Sequence, residues 1–221
     1  MKLTLVKRTV CYRLTFTGWT MLLGVNGMIL FFILKGIAGY LVVNEPLRTN
    51  ILVVDGMMPG YGYDSIASLV RRNHYDYLIT TGIDLDYTYN PNENFNIAAF
   101  SYKVLSTKDL GDCRLVKVPA GRAERDRTLT ASITLKKWFI NEKILPGKIN
   151  VIAFSCHARR TWLVYRKTFR GFADVGIITV NDNTYNYRHW YRTSKGVRMV
   201  LSETIGLMYT TFFIHPKTSM S

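Results

Sequence analysis

Two patterns of apolar residues divide the chain. The first is a single long stretch near the N-terminus. From Trp19 to Leu34 it runs WTMLLGVNGMILFFIL, 16 residues without a charge, and after Lys35-Gly36 it continues as IAGYLVV. The second is an alternation of short apolar runs with segments of helical spacing. Ile51–Val54 is uninterrupted and ends in Asp55-Gly56, as a strand buried on both faces would. Ile66, Leu69 and Val70 then fall on one helical face. Tyr77–Ile79 is a second strand that stops at Thr80-Thr81-Gly82. Phe95–Leu105 reads as a helix after a polar loop at Asn90–Asn94. Cys113–Val118 is a third strand, closed by Pro119-Ala120-Gly121. A long helix over about Asp126–Glu142 carries Leu129, Ile133, Leu135, Trp138 and Phe139, and Pro146-Gly147 breaks it off. Ile149–Phe154 and Val175–Val180 are the fourth and fifth strands, with a helix over Ala158–Phe169 between them. A last helix covers Ser194–Phe213.

Strands alternating with helices predict an α/β fold, a Rossmann-like three-layer sandwich with a mostly parallel five-stranded sheet. Ligands of such sheets bind beyond the carboxyl ends of the strands, where strand order reverses. Four segments fall there: Asp55–Gly62, Thr81–Asp86, Pro119–Thr128 and Ser155–Arg160.

The N-terminal stretch is long enough to cross a bilayer if counted from Phe16 to Val43, which divides the chain into 1–15, 16–43 and 44–221. It exceeds a cleavable signal's apolar region of about 7–15 residues, so an uncleaved anchor is expected. Lys2, Lys7, Arg8 and Arg13 precede it, whereas Asn44-Glu45-Pro46-Leu47-Arg48 follows with one acid and one base. The positive-inside bias predicts a cytoplasmic N-terminus, one pass through the inner membrane and an exported domain.

Charge sharpens the choice of partner. The chain has 29 Lys and Arg against 15 Asp and Glu, net +14; residues 44–221 keep 24 of those bases and all 15 acids, net +9. A cationic domain beside a membrane faces anionic headgroups or phosphorylated intermediates. Nucleic acid is not expected in that compartment. The cysteines Cys11, Cys113 and Cys156 form no C-x-x-C pair, and His74, His157, His189 and His215 lack metal-ligand spacing. The sequence names no cofactor. Cys113 and Cys156, at opposite ends of their strands, are expected to stay unbridged.

The candidate site begins with His157 and Arg160, at the start of a helix after the fourth strand, where N–H groups attract anions. Asp55 ends the first strand. His157 and Asp55 are the candidate catalytic groups; Gly56, Thr81, Gly82, Thr128, Ser155, Arg160 and Glu203 are the candidate ligand-binding ones. Glu203 also has the option of an ion pair with Arg160, and Thr128 that of a helix cap. A triad of Ser155, His157 and Asp55 is disfavoured, because serine and histidine two residues apart rarely reach the required geometry. Gly60-Tyr61-Gly62-Tyr63-Asp64-Ser65 is one glycine short of a dinucleotide fingerprint and reads as a flexible turn over the pocket.

Val54-Asp55-Gly56, Thr81-Gly82, Arg127-Thr128 and Ser155-Cys156-His157-Ala158-Arg159-Arg160, with Trp190, Ser194 and Glu203 in the tail, resemble the YdcF/SanA/ElyC-like family over about Leu52–Phe213. The chain departs from that pattern in having Asp55-Gly56 for Gly-Gly and Thr130-Ala131 for Glu-Asn, and it lacks an Arg at the start of the first domain helix. The resemblance implies a bacterial Rossmann-like domain in envelope biogenesis, in peptidoglycan or lipid-linked polysaccharide metabolism. One cytoplasmic branch looks able to bind S-adenosylmethionine, which would apply here only to a cytoplasmic domain. An enzyme and a non-catalytic scaffold for a membrane-protein partner both fit.

Val197–Ile214 is expected to pack on the domain through a broad apolar face, with Tyr209–Phe213 at the bilayer surface. Arg198 and Glu203 each cost about 2.5–3.5 kcal/mol inside a bilayer, which argues against a second crossing. A fusion after Ser221 tests the topology: alkaline phosphatase should be active there and a cytoplasm-only fluorescent protein dark. The reverse pair of results would place the domain in the cytoplasm.

Overall fold

The computed structural model describes residues 12–85 and 95–214. The polar loop Asn90–Asn94, His215, Cys11 and the basic residues Lys2, Lys7 and Arg8 lie outside the described residues. The chain divides into two units, Met1–Gly36 and Ile37–Ser221.

Helix α1 (Phe16–Leu41), whose first 21 residues fall in the first unit, is the one described helix long and apolar enough to cross a membrane. Its 21 residues Phe16–Gly36 extend about 31 Å at roughly 1.5 Å per residue, matching a hydrocarbon core of ~30 Å. Apolar side chains are exposed all round it, including Leu23, Phe31, Phe32 and Ile33. Two of its polar side chains are satisfied inside the helix: Asn26 Nδ2 donates to the Leu22 carbonyl (2.8 Å) and Thr20 Oγ1 to that of Thr17 (3.0 Å).

The second unit is an α/β domain. Its sheet contains β1 (Ile51–Asp55), β2 (Tyr77–Gly82), β5 (Arg114–Pro119), β6 (Gly147–Phe154) and β7 (Ala173–Val180), all parallel, in the order β5-β2-β1-β6-β7. A two-residue ribbon, β3 (Asp84–Leu85) with antiparallel β4 (Phe95–Asn96), follows β2. The five-stranded parallel sheet and Rossmann-like class expected from the apolar runs are present.

β1 shows why an uninterrupted apolar run works at the centre. Leu52 and Val54 point into a core with Tyr63, Ile66 and Val70 of α2 (Gly60–Asn73) and Leu105 of α3 (Ile97–Leu105). Ile51 and Val53 point the other way, to Leu135 and Phe139 of α4 (Arg127–Asn141) and Tyr165 and Phe169 of α5 (Ala158–Phe169). Alternate side chains serve opposite faces, and both are covered.

Some local expectations are corrected. The Gly60–Ser65 motif forms the start of α2, not a turn over the pocket, because Tyr63 and Ile66 must reach the core. The buried stripe of α4 is Thr128, Ala131, Ser132, Leu135 and Phe139; Leu129, Ile133 and Trp138 are only partly buried. The last helix, α6 (Ser194–Phe213), does pack on the domain, but the broad apolar face is turned outward. Its buried residues are Gly196, Val200, Glu203 and Thr210, while Leu201, Ile205, Met208 and Phe212 are exposed. Ile37–Val43, grouped with the span by sequence, belongs to the domain, where Ala38 and Leu41 pack with Cys156, Tyr185, Trp190 and Val200. Cys113 and Cys156 are free thiols, at strands separated by β2 and β1.

The link from Val42 to Arg48 seals the β7 edge. Glu45 bridges Ile177 through paired backbone hydrogen bonds (2.9 and 3.0 Å), and Thr179 Oγ1 donates to the Val43 carbonyl. Asn150, fully buried, fixes the same link: its Oδ1 accepts from Leu47 N–H and its Nδ2 donates to the Leu47 carbonyl, both at 2.8 Å. Asn150→Leu leaves both Leu47 groups unpaired, at about 1–3 kcal/mol each. Urea unfolding should therefore show a loss of about 2–6 kcal/mol, and an unchanged midpoint would mean the link is not held by Asn150.

Candidate functional site

The chain lays β2 and β5 on one side of β1, then returns to lay β6 and β7 on the other, so strand order reverses between β1 and β6. A cavity of about 410 Å³ opens at the carboxyl ends of these two strands. Asp55, Gly56 and Met57 line it from the end of β1, and Phe154, His157 and Arg160 from β6 and α5. Gly82 and Ile83 come from β2, Ile97 from α3, and Asp126, Arg127, Thr128 and Ala131 from the start of α4.

Of the residues expected at the site, Asp55, Gly56, Gly82, Thr128, His157 and Arg160 line the cavity, whereas Thr81, Ser155 and Glu203 do not. Thr81 is spent on packing, its Oγ1 within 3.5 Å of the Ala131 carbonyl. Ser155 lies 3.2 Å from the Tyr185 hydroxyl in a buried pair, so no serine triad with His157 and Asp55 is formed. Gly82 is required by close approach: a Cβ there would stand 2.6 Å from Ile97 Cγ2. Thr128 is no cap, since Asp126 occupies the cap position of α4, and its hydroxyl makes no hydrogen bond among the described residues.

Glu203 stands behind the wall and holds it. It is 8% exposed and accepts from Arg160 through two nitrogens, Nε to Oε2 at 2.8 Å and Nη2 to Oε1 at 3.3 Å. His157 Nδ1 lies 3.1 Å from the same Oε2. The same Nδ1 lies 3.1 Å from Arg160 Nη2, so it faces an acceptor and a donor at once: protonated it donates to Glu203, unprotonated it accepts from Arg160. In either tautomer Nε2 has no partner among the described residues. Burial pushes the Glu203 carboxyl up, but the hydrogen bonds and charges of His157 and Arg160 outweigh it and hold the group at about 2. Arg160 reaches this position by passing over Gly206, where a Cβ would stand 3.0 Å from its Cδ and Nε.

Asp55 moves in the opposite direction. Burial raises it from the usual 3.8 to about 6, only partly offset by the His157 charge, the Tyr165 hydrogen bond and the Arg160 charge. Tyr165 Oη donates to Asp55 Oδ1 at 3.0 Å, and burial keeps that phenol well above its ordinary range. Tyr165 escapes sequence reading because a tyrosine on the buried stripe of a helix looks like core. Arg127 sits within a predicted loop segment, beside the Thr128 singled out there; it is exposed, with no ion pair among the described residues. A left-handed backbone occurs at Asp126 (φ +51°) and Ser155 (φ +47°), the two turns that flank the cavity.

The three histidines among the described residues form no metal cluster, and no group of three or more His, Cys, Asp or Glu positioned for a metal is found among those residues. Compared with protein-family models, curated proteins and solved structures, the chain gives no match.

The Asp55 shift has a stability signature. The folded state keeps this proton up to about pH 6, while the unfolded chain releases it near 3.8. Stability contributed by Asp55 therefore falls as pH rises through that window, by about 3 kcal/mol in all. Asp55→Asn retains an acceptor for Tyr165 and removes the effect. Its stability relative to the parent should be near parity at pH 4 and rise to a gain of about 2–3 kcal/mol by pH 7. A difference that does not change with pH would contradict the buried carboxyl.

Proposed function

We propose that the protein is a membrane-anchored envelope-biogenesis factor whose cavity binds a phosphorylated glycan or lipid-linked cell-wall intermediate. The observation that carries this reading is the convergence of anion-binding devices on one cavity. α4 begins there with the N–H groups of a helix N-terminus, and α5 enters through a 3-10 turn, Ser155–His157, which places His157 and Arg160 on the cavity. Arg127 and Arg160 line it, the first with no ion pair among the described residues and the second held rigid by Glu203. A guanidinium fixed on one edge still offers donors for a phosphate. The sequence resemblance to the YdcF/SanA/ElyC-like family points to the same substrate class. α1 supplies the anchor, and the basic residues before it favour a cytoplasmic N-terminus with the domain exported.

Asp55 makes such a site selective for pH. Protonated, it donates a hydrogen bond to a phosphate oxygen; ionised, it repels that oxygen. An anion in the cavity therefore favours the protonated carboxyl, and binding takes up a proton near pH 7. Asp55 and His157 Nε2 are also the groups able to exchange a proton with a bound ligand. Whether turnover follows binding is decided by product analysis.

N-acetylglucosamine 1-phosphate, titrated into the full chain in detergent by calorimetry, tests the proposal. Binding should be tighter at pH 5.5 than at 7.5. Arg160→Ala and Arg127→Ala should each weaken it by about tenfold or more, as for a lost charge-assisted hydrogen bond. Affinity untouched by either change, or no binding at either pH, would favour the scaffold reading.

A further inference from the structure

α6 is amphipathic in the opposite sense to a helix on a soluble domain. Its inward side carries Gly196, Val200, Glu203 and Thr210, and its outward side carries Leu201, Ile205, Met208, Tyr209, Phe212 and Phe213. Those six recur at three- and four-residue spacing, so they form one continuous stripe. The exposures are large: 68% for Ile205, 67% for Phe212 and 71% for Phe213. A contiguous apolar patch of this kind marks an interaction surface.

We propose that this outward face of α6 docks on the surface of an anionic bilayer, lying in the interface without crossing it. The inference rests on reading α1 as the membrane anchor. Charge selects the occupant. The one acid of α6, Glu203, is buried against Arg160 and His157, whereas Arg198, one turn before Leu201 on the same face, is exposed, as are Arg188 and Arg192 just ahead of the helix. A face that is apolar along its length and cationic at one end complements acyl chains under anionic headgroups.

The threonine hydroxyls of α6 and the carbonyls at its C-terminal end are satisfied without water. Thr204, Thr210 and Thr211 donate their hydroxyls to the carbonyls of Val200, Gly206 and Leu207 (2.6, 2.8 and 2.8 Å). At the C-terminal end, Lys167 Nζ donates to the carbonyls of Thr210, Thr211 and Ile214 (2.7, 3.0 and 2.8 Å), groups that a helix end otherwise leaves to solvent. Where such a helix meets acyl chains, this internal satisfaction lowers the cost of losing water. Chain continuity supplies the proximity: Ala38 and Leu41, which immediately follow the apolar segment, pack in one cluster with Val200, Val197 and Leu207 of α6.

The native full chain, reconstituted in phosphatidylcholine vesicles containing phosphatidylglycerol and an acyl-chain diazirine lipid, tests this by mapping photo-adducts. Adducts are expected on 16–36 and also on 201–213. Ile205→Glu with Phe212→Glu, both at exposed positions, should lower the second set by about tenfold or more while sparing the first. Adducts on 16–36 alone would overturn the docking face and leave the anchor standing. Adducts on neither would overturn the anchor and the docking face with it. Crosslinks joining α6 of two copies, without lipid adducts on 201–213, would assign the stripe to a second copy and overturn the proposal.

Discussion

One buried carboxylate organises the wall of the cavity. Glu203 is almost wholly withdrawn from water, where an unpaired charge is costly; Arg160 and His157 supply the charge and hydrogen bonds it needs. Because those partners sit at the start of α5 and Glu203 sits on α6, the interaction fastens one helix to the other. It also fixes the guanidinium and the imidazole at the mouth of the strand-order reversal. Removing a single partner from such a group costs about 3–5 kcal/mol, more than most surface contacts together. This polar fastening makes the outward apolar face of α6 tolerable: the helix does not need its large side chains to stay on the domain.

Opposite Glu203 in character is Asp55. Both are buried carboxylates at the same end of the sheet, and both feel the charges of His157 and Arg160. Of the two, only Glu203 is hydrogen-bonded to those groups, whereas Asp55 has the Tyr165 hydroxyl and a burial cost that the distant charges only partly offset. Their affinities for a proton are driven apart by environment alone, the arrangement by which one fold separates a permanent charge from an exchangeable proton. Glu203 keeps its charge and holds the scaffold. Asp55 is the one whose charge state can change near neutral pH.

Much of this was legible in the chain. The strand runs are continuous because both faces of the sheet are covered, and their carboxyl ends mark the segments from which Asp55, His157 and Arg160 reach the cavity. An ion pair between Glu203 and Arg160 was open to sequence reading as well. What escaped did so for physical reasons. Tyr165 is indistinguishable by type from a core aromatic. Gly206 matters only because Arg160 crosses it, a contact across 46 residues of chain. The glycines before Ser65 suggested a loose turn, but the core's demand for Tyr63 and Ile66 outweighs local propensity and winds them into α2. α6 misled most: periodicity reports that a face is apolar, not which side of the helix the domain occupies.

The opposed carboxylates can be observed directly by carbon-13 NMR of the carboxyl groups during a pH titration of the full chain in detergent micelles. The account predicts a midpoint at about 6 for Asp55 and no titration of Glu203 until pH approaches about 2. Two midpoints near the usual 3.8 and 4.5 would contradict it, because neither group would then be held as the cavity requires.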